Sequence, residues 1–392
     1  MSTKTMAHET ISGKLAVARQ NAQILYSELQ KAYEALQDAS LVDVSAQVAP
    51  VPPKRYLKLY NTLKGHRDKI AQVKWDQSSR RIVSACQDGF MIIWDAVTGL
   101  KLQAIPLESS WVLCCAYSPS GRLVASAGLD NKCSIYKVNI PEPGAPITSQ
   151  PGSIELSELS KPYRAGPGAH AAYVSACEFI EENKILTASG DMTIALWDTQ
   201  RGIRSHEFLG HSADVLSMSA RPFQQTFLSS GADGLVKVWD LREKGPVMSC
   251  NISKTDVNDI VGFHDSHSFV AGADDGVCKL FDLRSECELA SFELSAQFSS
   301  AKNTTTITTP LMSHFDTPGV VSLDLSRSKR ILYACYADYG CIAWDTLKNS
   351  IIETIGVGSG SHNGRISQVA VSPDGEGMAT ASWDSSIKIW ST

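Results

Sequence analysis

The fold this sequence predicts is all-β: a seven-bladed β-propeller with an N-terminal coiled-coil α-helix. Three observations carry that expectation. An Asp stands six residues before an aromatic seven times, at Asp88–Trp94, Asp130–Tyr136, Asp191–Trp197, Asp233–Trp239, Asp275–Phe281, Asp338–Trp344 and Asp384–Trp390. A Gly-His or a variant of it lies upstream of several pairs (Gly65-His66, Ala169-His170, Gly210-His211, Ser361-His362), and a hydroxyl precedes the Asp by four at Ser84, Ser126, Thr187, Ser229 and Thr380. Self-similarity near 40 residues, in fixed internal register, is the mark of four-stranded sheets arranged around an axis. Third, residues 9–41 lack Pro and carry an apolar seam at Leu15, Ala18, Ala22, Leu25, Leu29, Ala32, Leu36 and Ala39, with spacings alternating 3 and 4. That is a heptad stripe, and its leucines need a partner helix.

Taken in chain order, residues 1–45 read as the coiled-coil helix, rich in Ala, Gln, Leu, Glu and Lys that favour helix. Residues 46–55 read as a linker stiffened by Pro50, Pro52 and Pro53. Residues 56–392 hold the seven repeats. The stretch Tyr56 to Leu63 alternates like a strand and precedes the first Gly-His, so it is expected as the outer strand of the last blade. The C-terminal Ser386 to Trp390 would supply an inner strand of that same blade, closing the ring and removing sheet edges. Successive aromatics are 42, 61, 42, 42, 63 and 46 residues apart, so two loops are enlarged. The first, about 139–168, contains six Pro and four Gly and reads as a surface insertion. The second, about 295–313, has nine Ser or Thr in nineteen residues, the composition of a solvated, phosphorylatable loop.

Composition excludes several classes. Of 392 residues, 43% are hydrophobic and 20% charged, with net charge −5, which gives no general attraction to nucleic acid or anionic lipid. No run of 18 apolar residues exists to span a bilayer, and the first residues lack a secretory apolar segment. Ser2 stands where a myristoylation signal needs Gly, and the C-terminus is not a prenylation box. The ten cysteines have no CxxC pair and are expected as reduced, largely buried small hydrophobes. His264 and His267 lack a neighbouring ligand cluster of zinc spacing, and Asp233-Gly234 and Asp274-Asp275-Gly276 are turn sequences, so no metal is expected. No phosphate-cradling glycine motif is present, and neither cofactor nor enzymatic activity is expected.

Ser, His and Asp together can make a nucleophilic triad, but an active site occurs once and these residues recur blade after blade. They are expected as structural tetrads, in which Asp accepts from His, His meets the hydroxyl, and the hydroxyl accepts the Trp indole N–H. Four sets are complete: His66/Ser84/Asp88/Trp94, His170/Thr187/Asp191/Trp197, His211/Ser229/Asp233/Trp239 and His362/Thr380/Asp384/Trp390. The second, fifth and sixth blades lack parts.

A heptad helix, a Pro-containing link and seven such repeats resemble the β subunit of heterotrimeric G proteins, a WD-repeat family. The stretches from Ser84 to Asp95, Ala104 to Val112, Gly128 to Tyr136, Leu280 to Arg284 and Ala381 to Trp390 are similar to that subunit's blades. The enlarged loops resemble fungal members of the pheromone-response type. The resemblance implies a non-catalytic transducer with no cofactor. Its helix would pair with a lipidated γ subunit, holding it peripherally on the cytoplasmic face of the plasma membrane and in the cytoplasm. One propeller face would bind the GDP-bound α subunit and, after release, effectors acting below a receptor. The residues matching that face are Lys69, Ile92, Lys101, Trp111, Leu113, Leu129, Asn131, Tyr173, Asp214, Asp256, Asp274 and Trp383. The repeat itself groups many of them. Lys69, Tyr173 and Asp214 lie three residues after a blade's His, Trp111 and Asp256 lie 42 residues after Lys69 and Asp214, and Leu129, Asp274 and Trp383 each precede a turn Asp. Ala71 and Phe90 depart from the family, which often has Tyr and Lys there. The alternative is a WD-repeat scaffold or co-repressor unrelated to G proteins, whose long low-complexity linker or basic import cluster this sequence lacks.

Overall fold

The chain is described here from a computed structural model, in which residues 17–28, 31, 45–51, 57–139, 169–221, 225–263, 267–294, 318–356 and 361–391 are described. It divides into two compact units, Met1–Pro50 and Val51–Thr392. In the first, residues 17–28 are helical, with Ala18, Ala22 and Leu25 of the heptad seam exposed and Leu25 at 64%. Leu15, Leu29, Ala32, Leu36 and Ala39 lie outside the described residues, as do all but the first residue of the 139–168 insertion and the whole of the 295–313 insertion.

The second unit is a ring of seven antiparallel sheets. Blade 1 is Ile70–Trp75, Arg81–Cys86, Phe90–Asp95 and Lys101–Pro106. Blade 2 shows three strands among the described residues, Val112–Tyr117, Leu123–Gly128 and Cys133–Lys137. Blades 3 to 6 open with Val174–Glu181, Val215–Arg221, Val257–Gly262 and Val320–Leu325, and each continues through three further strands by hairpins. Blade 7 consists of Ile366–Val371, Gly377–Ser382 and Ser386–Ser391, with Lys58–Lys64 paired antiparallel on its outside. The C-terminal strand is therefore third of four. It is covered by the strand that begins the unit, so the two ends of the sequence meet in one sheet.

The core of this unit is not one mass but seven apolar layers, each between neighbouring blades. Ile387 and Ile389 of blade 7 pack with Ile70 and Trp94 of blade 1, and Phe292 of blade 5 with Leu332 and Trp344 of blade 6. Corresponding layers join blades 3 and 4, 4 and 5, 6 and 7, 1 and 2, and 2 and 3. This explains the apolar runs of the second strands, which are buried on both faces. The first strands line the axis and are fastened by side chains. Gln72 Oε1 accepts from Cys115 N (2.6 Å), Glu178 Oε2 from Ala220 N (2.9 Å), Asp259 Oδ2 from Leu323 N (2.7 Å), Asp324 Oδ2 from Val371 N (2.7 Å) and Gln368 Oε1 from Val73 N (2.7 Å). Each bond crosses from one blade to the next.

Candidate protein-binding face

At one end of every blade, the loop entering the first strand meets the hairpin leaving the second. The same backbone bond joins them each time. Lys69 O accepts from Gln87 N (3.0 Å), Trp111 O from Leu129 N (3.0 Å), Tyr173 O from Gly190 N (2.9 Å), Asp214 O from Ala232 N (2.8 Å), Asp256 O from Asp274 N (2.9 Å), Gly319 O from Ala337 N (2.9 Å) and Arg365 O from Trp383 N (2.9 Å). Lys69, Trp111, Tyr173, Asp214 and Asp256 thus hold one position of the repeat, and Leu129, Asp274 and Trp383 a second beside it. All eight share one face of the ring.

The tetrads hold these loops in place. In blade 1, His66 Nδ1 donates to Asp88 Oδ2 (3.0 Å), Ser84 Oγ lies 2.7 Å from His66 Nε2, and Trp94 Nε1 donates to Ser84 Oγ (2.8 Å). Blades 3, 4 and 7 repeat the chain of bonds at 2.7 to 3.0 Å. Each turn Asp also accepts a backbone N–H of the entering loop, from Arg67, Ala171, Ser212 and Asn363. Burial pushes Asp88 up, but the bonds from His66 and Arg67 N outweigh it and hold the carboxyl at about 2. Burial lowers the His211 and His362 imidazoles, which favours the neutral ring.

The face is electrically divided. Lys69 Nζ lies 4.2 Å above the Trp383 ring and the Arg365 guanidinium 5.3 Å from it, a cation–aromatic cluster across blades 7 and 1. Across the ring, Asp256 and Asp274 are exposed in blade 5, and Tyr173 donates its hydroxyl to Asp214 Oδ2 at 2.7 Å. Burial and that carboxylate push the Tyr173 phenol up to about 12. Gly190 makes room for the Tyr173 ring, since a Cβ there would come within 2.4 Å of it. Trp383, within the cationic zone, is 43% exposed, and Trp111 (56%) and Leu129 (49%) of blade 2 stand beside it in the ring.

Other residues expected at this face are placed differently. Asn131 takes the left-handed conformation (φ 61) after its turn Asp and donates to Ala171 O at 3.3 Å. Leu113 sits at the register shift between Val112 and Cys114, where a bulge re-aims the side chain. Lys101 begins the outermost strand of blade 1, with Nζ 3.4 Å from Gly65 O, and so stands on the flank rather than among the loops. Ile92 is a correction. It is mid-strand, opposite Ser84 and Ala104, is only 5% exposed, and packs in the layer between blades 7 and 1, so little of its side chain reaches the surface. Arg365 is the residue missed by the sequence reading, although it lies three residues after His362, the spacing that selects Lys69, Tyr173 and Asp214.

Comparison with known proteins matches residues 12–391 to the model of the G protein beta WD-40 repeat protein family. The chain belongs to this family. It is 39% identical to a Saccharomyces cerevisiae protein named guanine nucleotide-binding protein subunit beta, over 98% of this chain and 92% of that protein. It is 38% identical to the Homarus americanus guanine nucleotide-binding protein G(I)/G(S)/G(T) subunit beta-1, covering 95% of this chain and 98% of the relative. A Lymnaea stagnalis subunit beta is also 38% identical, over 97% of this chain and all of the relative. Among solved structures, the WD40 propeller domain of Doa1 superposes with a TM-score of 0.66 at 18% identity, over 86% of this chain and 97% of that one, a likeness of fold alone. Among the described residues of this family member, no helix is long and apolar enough to cross a membrane.

Proposed function

We propose that the chain is a non-catalytic G protein β subunit. It pairs through its N-terminal helix with a γ subunit, and its loop face binds the GDP-bound α subunit. Once α leaves with GTP, the same face meets effectors in receptor-coupled signalling of the pheromone-response type. The single observation that supports this most is the face itself. Exposed Trp111, Leu129 and Trp383 share the face with a cationic cluster on Trp383 and an acidic zone across the ring, the anchor-and-rim composition of a protein interface. Four repeated tetrads hold its loops. The exposed Ala18, Ala22 and Leu25 support a helical partner, and a lipidated γ chain would place the complex at the cytoplasmic face of the plasma membrane.

The test is nucleotide-dependent binding. The purified chain with its co-purifying small subunit should capture α loaded with GDP and release it on loading with a non-hydrolysable GTP analogue. Equal affinity for both forms would remove the proposal.

A further inference from the structure

Among the complete blades, blade 1 alone carries sulfur at a position that the tetrad does not use, where blade 4 has Gly231. Two residues after the tetrad hydroxyl, blades 3 and 7 carry Ser189 and Ser382, whose hydroxyls donate to Ala172 O (3.2 Å) and Gly364 O (3.1 Å). Blade 1 carries Cys86 there, and its thiol donates to Asp68 O at 3.1 Å. A serine makes that bond equally well, so the bond gives no reason for sulfur. The sulfur has another property. Cys86 Sγ, a ring nitrogen of His66 and a carboxylate oxygen of Asp88 all lie within 4.8 Å of one another, with His66 and Cys86 buried and Asp88 half-buried. Three elements bring them together: the loop entering blade 1, its second strand and the following turn.

We propose that His66, Cys86 and Asp88 form a binding site for a thiophilic divalent cation, of the zinc type, beneath the protein-binding face. Imidazole, thiolate and carboxylate are all zinc donors, and three protein ligands leave a fourth position for water. Metal–donor distances of about 2.0–2.3 Å set tetrahedral edges of about 3.3–3.8 Å. His66 Nδ1 and Asp88 Oδ2, 3.0 Å apart, would open by a few tenths of an ångström, and the sulfur, within 4.8 Å of the other donors, would close in by up to about 1 Å. The protons balance. In the metal-free tetrad, His66 Nδ1–H donates to the carboxylate. On loading, the ring keeps one proton but carries it on Nε2, which donates to Ser84 Oγ at 2.7 Å. The Ser84 hydroxyl then turns its own proton to Ile92 O, 3.3 Å away. Cys86 releases one proton to solvent, and the dication is neutralised by thiolate and carboxylate. Burial pushes the free Cys86 thiol up to about 12, so cation and proton compete and loading strengthens as pH rises.

The experiment uses the full-length chain with cobalt(II) and zinc as probes. The wild type should develop a thiolate-to-cobalt absorption band that zinc bleaches, and X-ray absorption of the loaded protein should show one sulfur in the metal shell. Cys86→Ser keeps the hydrogen bond made by Ser189 and Ser382 in their blades. It should keep its melting temperature in chelator, lose the band, and bind zinc weaker on the order of 100-fold or more. A wild type without the band, a band that survives in Cys86→Ser, or a shell of nitrogen and oxygen alone would overturn the proposal.

Discussion

The indole N–H of Trp344 lacks the hydroxyl acceptor of the other blade tryptophans because Ala334 stands where five other blades hold Ser or Thr. In blades 1, 3, 4 and 7 that hydroxyl accepts the indole proton at 2.8 or 2.9 Å. The neighbouring phenol of Tyr336 pairs with Cys278 Sγ at 3.7 Å and lies near enough to the Trp344 indole to be stabilised by it, but outside good hydrogen-bond geometry. Blade 5 solves the same problem differently. Phe281 and Ala271 remove donor and acceptor together, which costs little, whereas blade 6 keeps the donor alone. Ala334→Ser should therefore stabilise the propeller by about 1 kcal/mol, read from denaturant or thermal unfolding. A neutral or negative change would mean that the indole is already satisfied or that the added oxygen does not fit.

The sequence announced the ring more completely than the face. Blade number, the pairing of both ends of the propeller in one sheet and the four complete tetrads follow from residues that recur at fixed spacing, because each blade solves the same local problem. Features made by packing between blades leave no such trace. Ile92 is matched to the face through the family resemblance alone, and it packs in the layer between blades 7 and 1. Lys101 falls on the flank because strand order, not spacing, decides which edge is outermost. The cluster of Cys86 with His66 joins residues twenty apart in different elements, and no motif spacing marks it. Arg365 was legible, since the rule selecting Lys69 selects it too.

Removing a turn Asp should cost stability and not only binding. Asp233→Ala leaves His211, buried, without its acceptor and frees Ser212 N. The expected loss is about 1–3 kcal/mol in unfolding free energy. The pH dependence has a defined sign. Asp88 and Asp233 are held below their usual value, so their contribution is present above about pH 4 and is lost as pH falls through the lowered values, which for Asp88 is about 2. An Asp233→Ala protein with wild-type unfolding and impaired partner binding would make Asp233 a contact residue instead.

The axial channel should titrate in the opposite sense. Asp324 faces the channel with Lys74, Glu178 and Asp259 around it. Burial pushes its carboxyl up to about 6 against the bonds from Val371 N and Leu325 N and the charge of Lys74. Burial would lower Lys74, but Glu178, Asp259 and Asp324 together raise it. A raised carboxyl contributes stability that is full below about pH 4 and is lost as pH rises through about 6. Site-resolved carboxyl NMR should show Asp324 titrating near pH 6. A midpoint near the usual value for Asp would show that water solvates the channel more than the packing implies.

Trp111 is the residue on which the proposed binding function turns. Its backbone is tied down, with Trp111 O accepting from Leu129 N, while its side chain is 56% exposed and belongs to no tetrad. The ring therefore adds little to the fold and is free to face a partner. Truncating a large aromatic at an interface centre commonly costs about 2 kcal/mol or more, roughly 30-fold in affinity. Trp111→Ala should weaken binding of GDP-bound α by about that factor. Its melting temperature and pairing with γ should stay near wild type, and effector output should fall with α binding if the surface is shared. The decisive measurement is the affinity of the purified mutant complex for GDP-bound α. A change of less than about twofold would remove Trp111 from the interface, since an anchor costs far more. It would also weaken the assignment of Leu129 and Trp383, which hold the adjoining repeat position and are similarly exposed.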